Sequence, residues 1–592
     1  MERNDLSGEL GRRELKGSPA SPGVVIGVAH VVHTRIKDVP KRTLLEKSIP
    51  GEITRFKRAL QKTHKQILES QKLISKKLGS EISRIFDAHL LLLKDELVIE
   101  ETTKVIRTEK VGAEYAFFKT ISQYLEKMSE ISDEYLRERE IDIRDVGRRV
   151  INNLSGGASD SIPKLKKRVI LVAREMTPSM TAGLARNKVI GLATDVSGKT
   201  SHAVIFARSL EIPAVVGLHS VTQQINTGDK VILDGISGKI IANPSEDEIE
   251  KYNEKVRQFR EFEEELSQVH HLPAVTVDGY RVQLSANIEI PQEVKSLIAH
   301  GATGVGLFRT EFLLLDREEE PGEDEQCRIY SQVVKKVSPD PVTIRTYDIG
   351  GDKYVKFLDN TLEANPYLGW RAIRISLECE SLFRTQLRAL LRSSSKGNLR
   401  VMFPMITCVE ELERALTILD EEEKKLRGDG VEIDEGYEIG IMIETPAAAM
   451  ISDKLAKRVD FFSVGTNDLI QYTMAADRDN SRVSHLYQQF HPGVLGLIHK
   501  TIEAARENGV SVSVCGEMAG NPLGAILLVG MGVYELSMSP VLVPEVKVSI
   551  RSIAINDARE AAREALAAET HQEVLEILKD RFESEMSDLF LL

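Results

Sequence analysis

Past Leu272 the chain repeats a single alternation to its end, and no other feature constrains the fold as strongly. Eight runs rich in β-branched and aromatic residues follow one another: RVQLSANI, GVGLFRT, VTIRTYDI, LRVMFPM, EIGIMIE, DFFSVGTND, VSVCGE and YELSMSP. Between them lie stretches with helical spacing, among them PQEVKSLIAHGA, VEELERALTILDEEEKKL, LGLIHKTIEAARENG and NPLGAILLVGMG. Strand and helix alternating in this way predict a (β/α)8 TIM barrel over 272–592, a size ordinary for that architecture.

Ahead of the barrel the pattern changes twice. SPGVVIGVAHVV, Ser21 to Val32, reads as a strand, and from about Leu44 to Ser155 charged segments carry apolar residues three and four apart, such as Ile53, Phe56, Ala59 and Leu60. After Pro163 short β runs return, RVILVA, KVIGLAT, AVVGL and KVILDG, alternating with helical stretches. The fold class predicted is therefore multidomain α/β: an α/β domain over 1–36 and 156–244, an inserted helical bundle over 37–155, a linker helix over 245–271, and the barrel over 272–592. The linker segment SEDEIEKYNEKVRQFREFEEELSQ is almost wholly charged and lacks Gly and Pro, which suits an exposed helix between two bodies or a plain surface helix.

Composition removes other classes. With 42% hydrophobic and 28% charged residues the chain is neither disordered nor a membrane protein, and its net charge of -12 argues against a nucleic-acid footprint. The four cysteines stand far apart without a CxxC pair, so neither a disulfide framework nor a structural zinc site is expected. The charged amino terminus has no apolar core of the signal-peptide kind, and the longest uncharged run, Met518 to Tyr534, falls short of a spanning helix. A cytoplasmic protein without membrane insertion is expected.

In a TIM barrel the carboxyl ends of the strands converge on one face, where active sites sit. Five of the runs finish on polar or charged residues: Arg309 and Glu311, Arg345 and Asp348, Glu444, Asn467 and Asp468, Cys515 and Glu517. Arg309, Arg345 and Arg478 offer planar forks for an anion with several oxygens, and Lys353 in GGDK adds a compact charge. Leaving such cations unpaired is costly, so a ligand carrying phosphate and carboxylate is expected. Glu444 and Asp468 are the carboxylates placed to hold a divalent ion beside it, and oxygen-only ligation favours Mg2+ over zinc. Cys515 reads either as a small core hydrophobe or as a proton donor to a carbon centre.

His202 has a setting of its own. DVSGKTSH joins a strand to the helical run AVIFARSL, so Thr200 or Ser201 caps a helix whose amino terminus disfavours imidazolium and offers N–H groups to an anion. Neutral imidazole is nucleophilic, and a phosphoryl group on that ring would be stabilised there; an ordinary capping histidine is the other reading.

The motifs together resemble enzyme I of the bacterial phosphoenolpyruvate-dependent sugar phosphotransferase system, from about Ser18 to the end. GKTSHAVIFARSLEIPAVVG is similar to that family's phosphohistidine segment; GVGLFRTEFLLLDR, RTYDIGGDK, NPYLGWRAIR, MIETPAAA, FFSVGTNDLIQYTMAADR and CGEMAG are similar to its barrel signatures, in order. The resemblance implies that phosphoenolpyruvate binds in the barrel, gripped by Arg309, Arg345, Lys353, Arg371, Asn467 and Arg478, with Mg2+ on Glu444 and Asp468. It also implies that His202 takes the phosphoryl group, that Thr177 orients the imidazole, and that Cys515 protonates the released enolate to pyruvate. By the same resemblance the phosphoryl group passes to a histidine of the carrier HPr, docked on the helical bundle. The resemblance further implies a homodimer formed through the barrel, and hinges around Pro163 and before Ser245 that let the phosphohistidine domain swing between barrel and carrier.

This sequence departs from the family pattern at Ser197, Gln489 and Gly493, and Lys94 falls in a region that is often acidic, so carrier choice is less constrained than chemistry. Pyruvate phosphate dikinase and phosphoenolpyruvate synthase share both modules but need a nucleotide-binding domain for which no room is seen. The nitrogen-related paralogue typically carries an extra amino-terminal sensor domain, and none is expected to fit into the first twenty residues. A scaffold that has lost turnover is disfavoured by the intact His202, Glu444, Asp468 and arginines.

Overall fold

A computed structural model describes residues 11–32, 39–78, 85–129, 134–155, 167–176, 180, 188–196, 207, 212–314, 317, 319–350, 355, 357–358, 363, 365–478, 480 and 482–582. The chain divides into two compact units, Met1–Glu261 and Phe262–Leu592.

The first unit combines a sheet with a helical bundle. Its strands are β1 (Arg13–Lys16), β2 (Ser18–Ser21), β3 (Val24–Val32), β4 (Val169–Ala173), β5 (Val189–Thr194), β6 (Ala214–Val216), β7 (Lys230–Asp234) and β8 (Lys239–Ala242). They form one sheet in the order β1-β8-β7-β3-β4-β5-β6-β2, parallel from β3 through β6 and antiparallel elsewhere. The β-branched runs anticipated at 168–173, 188–194, 214–218 and 230–235 are its central strands. Sequence reasoning missed β1, β2 and β8, and the strand expected from Ser21 begins at Val24; RELK is charged and gains strand form by pairing with KIIA, from Arg13 against Ala242 to Lys16 against Lys239.

The bundle consists of α1 (Ile49–Leu78), α2 (Ile85–Leu92), α3 (Glu96–Glu109), α4 (Ala113–Ser129) and α5 (Glu134–Leu154). The three-and-four spacing does what it predicts, since Phe56, Ala59, Leu60 and Ile67 of α1 join Phe117 and Ile121 of α4 and Val146 and Val150 of α5 in one buried cluster. Asp95 caps α3 by accepting from Leu97 N and Val98 N. The charged linker segment forms the single helix α6 (Glu246–Val269).

The second unit holds a closed barrel of parallel strands: β9 (Gln283–Ile288), β10 (Val305–Phe308), β11 (Val342–Arg345), β12 (Leu399–Phe403), β13 (Glu438–Ile443), β14 (Phe461–Val464), β15 (Ser511–Val514) and β16 (Glu535–Met538). Each anticipated run supplies one of them. Strand parity explains the layering. One phase, with Ile344, Val401, Phe403, Ile441, Ile443, Val464, Val514 and Leu536, packs outward into the large core shared with the helices. The other phase points inward, and Leu307, Met402, Met442, Phe461 and Cys515 form a separate buried cluster. At the amino-terminal end the inward phase is polar: Arg400 pairs with Glu438 at 2.7 Å and Glu535 at 3.2 Å, and Ser285 donates to Glu535 at 2.6 Å. Two steps along from Leu307, Thr343, Met442 and Ser513 the same phase reaches Arg309, Arg345, Glu444 and Cys515 at the carboxyl-terminal end.

The barrel helices used below are α7 (Glu323–Val337), α8 (Glu380–Ser393), α9 (Thr466–Met474) and α10 (Val543–Ser552). Among the described residues no helix is long and apolar enough to cross a membrane.

Candidate active site

Arg345 closes β11 and is buried, with its guanidinium between Glu311 and Asp348, the latter at 3.1 Å. Burial opposes its charge, but the carboxylates of Glu311, Asp348 and Glu444 outweigh that cost and hold the group firmly protonated. Arg371 is gripped in bidentate fashion by Asp348, Nε to Oδ1 at 2.8 Å and Nη2 to Oδ2 at 3.0 Å. Its Nη1 donates to Asp468 Oδ1 at 2.8 Å and to the Tyr472 hydroxyl at 3.1 Å. Next to it Ala372 has φ +55°, a strained value for a residue with a Cβ, and a Cβ on Gly350 would lie 2.2 Å from the Trp370 carbonyl oxygen. The turn bearing Arg371 is thus fitted closely to the loop after β11.

Glu444 follows β13 and is fully buried. Its Oε1 accepts from Met405 N at 2.6 Å, and Met405 adopts φ +53°. Its Oε2 has no hydrogen-bond partner among the described residues. Burial, then the charges of Asp468 and Asp348, push this carboxyl well above the ordinary range. A fully buried carboxylate with one oxygen fixed, the other without a partner and a second carboxylate nearby fits a hard divalent cation such as Mg2+. Gly465 leaves the space required, because a Cβ there would come within 3.1 Å of Glu444 Cβ.

Asn467 and Asp468 do not end β14, as expected from sequence; they lie in the first turn of α9, after the bend at Gly465. Asn467 exchanges two hydrogen bonds with Glu517, donating at 3.2 Å and accepting from its N–H at 2.8 Å. Cys515 is buried, with Sγ 3.8 Å from the Val464 carbonyl, and its own carbonyl accepts from Asn287 Nδ2 at 2.9 Å. Arg309 is part-exposed and pairs with Glu289 at 2.6 Å. Arg478 is exposed and lies against the Tyr487 hydroxyl, which itself donates to the Asn467 carbonyl at 3.2 Å.

The cost of unpaired cations is met in part by the protein itself: Glu311, Asp348, Asp468 and Glu289 partner Arg345, Arg371 and Arg309. An anionic ligand therefore meets cations already aimed by carboxylates.

Three family models match the chain: PEP-utilising enzyme, N-terminal, over 16–139; PEP-utilising enzyme, mobile domain, over 165–238; and PEP-utilising enzyme, PEP-binding domain, over 263–555. Phosphoenolpyruvate-protein phosphotransferases of Bacillus sp. (strain S), Bacillus subtilis (strain 168) and Haemophilus influenzae are each 42% identical to it. The alignments cover 98%, 96% and 96% of this chain and 100%, 100% and 98% of theirs. The chain belongs to the phosphoenolpyruvate-protein phosphotransferase family.

Of the residues singled out from this phosphotransferase's sequence, the structure gathers Arg345, Arg371, Glu444 and Asp468 around shared ion pairs and charges, with Cys515 in the same inward phase. Thr177, His202 and Lys353 lie outside the described residues. Sequence reasoning missed the roles of Glu289, Tyr472 and the Met405 N–H. The first two leave only an ordinary carboxylate and an ordinary tyrosine in the sequence, and a backbone donor leaves no signal at all.

Proposed function

We propose that this phosphotransferase takes the phosphoryl group of phosphoenolpyruvate onto His202, releases pyruvate, and passes the group to a histidine of the carrier HPr, at the head of sugar uptake and its regulation. The observation that carries the reading is the lone buried oxygen of Glu444, set beside Asp468 and among arginines already aimed by carboxylates.

Arg309, Arg345, Lys353, Arg371, Asn467 and Arg478 bind the phosphate and carboxylate of the substrate. Glu444 and Asp468 would hold Mg2+; when bound, the ion neutralises charge on the phosphate and on the enolate oxygen as it forms. Thr177 orients the imidazole of His202, whose neutral nitrogen forms the new bond to phosphorus as the bond to the enolate oxygen breaks. Cys515 then gives its proton to the enolate carbon, and the product leaves as pyruvate. Support for the last role comes from burial, which pushes the thiol up to about 11 and so keeps it a proton donor at neutral pH.

The domain division that goes with this reading assigns 1–36 and 156–244 to the phosphohistidine domain, 37–155 to carrier docking, 245–271 to a linker, and 272–592 to substrate binding and homodimerisation in a cytoplasmic enzyme. Support comes from helices α1 to α5, which run from Ile49 to Leu154, and from the barrel strands, which run from Gln283 to Met538.

Rapid mixing with phosphoenolpyruvate and Mg2+ is expected to give one burst of pyruvate per active site, with sustained release only when HPr is added. A scaffold that had lost turnover would give no burst.

A further inference from the structure

Beneath the barrel mouth lies a group of buried polar side chains with no place in the chemistry above. Gln386 on α8 is fully buried, as are Thr310, Gln326 and Tyr330, and Tyr347 is nearly so. The Gln386 Oε1 accepts from Tyr347 N at 3.1 Å, while its Nε2 donates to Thr310 Oγ1 at 3.1 Å and to the Tyr330 hydroxyl at 3.2 Å. Thr310 in turn donates to the Arg345 carbonyl at 2.9 Å. Tyr330 and Tyr347 both donate to Gln326 Oε1, at 3.1 and 2.8 Å, and Gln326 Nε2 donates to the Pro321 carbonyl at 2.9 Å.

The Tyr347 N–H needs an acceptor, and that fixes the orientation of the Gln386 amide. The Thr310 hydroxyl spends its proton on Arg345 O and the Tyr330 hydroxyl spends its own on Gln326, so both present lone pairs to Nε2. The Tyr347 N–H can be met only by Oε1. The positions held are the ones that matter: Thr310 follows Arg309, the accepted carbonyl belongs to Arg345, and Tyr347 precedes Asp348, which grips Arg371. One amide on α8 thus sets the spacing of the two strand ends that bear Arg309 and Arg345, and through Asp348 that of Arg371.

We infer that Gln386 is a positioning residue for anion binding: it holds the three arginines at the separation the phosphate and carboxylate require, without touching substrate. This rests on the barrel mouth being the phosphoenolpyruvate site. A buried network in which each member is satisfied specifies one geometry, whereas an apolar core of equal volume would tolerate several.

The test measures pyruvate release in a single turnover against phosphoenolpyruvate concentration, with Mg2+, for wild type, Gln386→Leu, Gln386→Glu and Leu390→Val. The last trims the same buried helix face without entering the network. Gln386→Leu is expected to raise half-saturation about tenfold with the limiting rate within about threefold, the pattern of lost binding shared by ground and transition states. Leu390→Val should lower the melting temperature while leaving half-saturation within about twofold of wild type. Gln386→Glu keeps the fold testable if leucine does not, and its deficit relative to wild type should shrink as pH falls, because the protonated acid regains a donor. Wild-type half-saturation in both Gln386 variants, or an equal rise in Leu390→Val, would overturn the inference. Failure of the wild type itself to bind phosphoenolpyruvate, read by calorimetry, would instead sink the site assignment on which it rests.

Discussion

Cys515 stands where strand parity turns the inward phase into the barrel mouth, and its burial pushes the thiol up to about 11. Two results follow at this scale. Cys515→Ala should slow the pyruvate burst by about 10²–10⁴, the range for a general acid, with half-saturation for phosphoenolpyruvate little changed. In the wild type the burst should be free of thiol titration between pH 6 and 9, roughly two units below the folded value at the upper limit. A fall of the wild-type burst centred near pH 8.5 and absent from Cys515→Ala would contradict this. Residue types at strand ends were legible because parity and strand termini together decide which side chains meet: Arg309, Arg345, Glu444 and Cys515 needed no more than that. Arg371 was legible only through family resemblance, since it lies in a turn beyond β11 and is placed by Asp348. The pairing of the cations was not legible, because nothing in the sequence shows which carboxylate faces which arginine across the barrel.

Among the elements, strands with clean alternation and helices with an apolar stripe were read correctly, and the failures have physical causes. RELK forms a strand because KIIA offers an edge to pair with, a long-range condition that local propensity does not carry. Asp468 lies on a helix because α9 begins at Thr466, two residues after β14 ends at Val464, where Gly465 leaves room for Met442 and Glu444. Helix α10 carries a testable consequence. Burial pushes the Glu545 carboxyl up to about 7. Between its unfolded value of 4.5 and about 7 the folded chain keeps a proton that the unfolded chain gives up, so this group's contribution to stability is intact below pH 4.5 and is lost as pH rises through 7. Glu545→Gln should therefore be more stable than wild type at pH 8, by about 1–2 kcal/mol, and nearly equal to it at pH 4.5. Denaturant titrations at both values check this, and a gain of the same size at pH 4.5 would show that the carboxyl is not displaced.

At the scale of the whole molecule, one chain carries two units: a barrel whose mouth gathers arginines and carboxylates in shared ion pairs, and a unit containing the segment of His202. Both units were legible from the alternation of their elements, whereas the chemistry joining them rests on the motif around His202. That link is tested most directly by incubating the full chain with phosphorus-labelled phosphoenolpyruvate and Mg2+, comparing wild type with His202→Ala, and then adding purified HPr. The expected result is acid-labile, base-stable label on the wild type, none on His202→Ala, and transfer of the label to HPr. Label of equal amount and stability on His202→Ala, or an unlabelled wild type that still binds phosphoenolpyruvate, would contradict it.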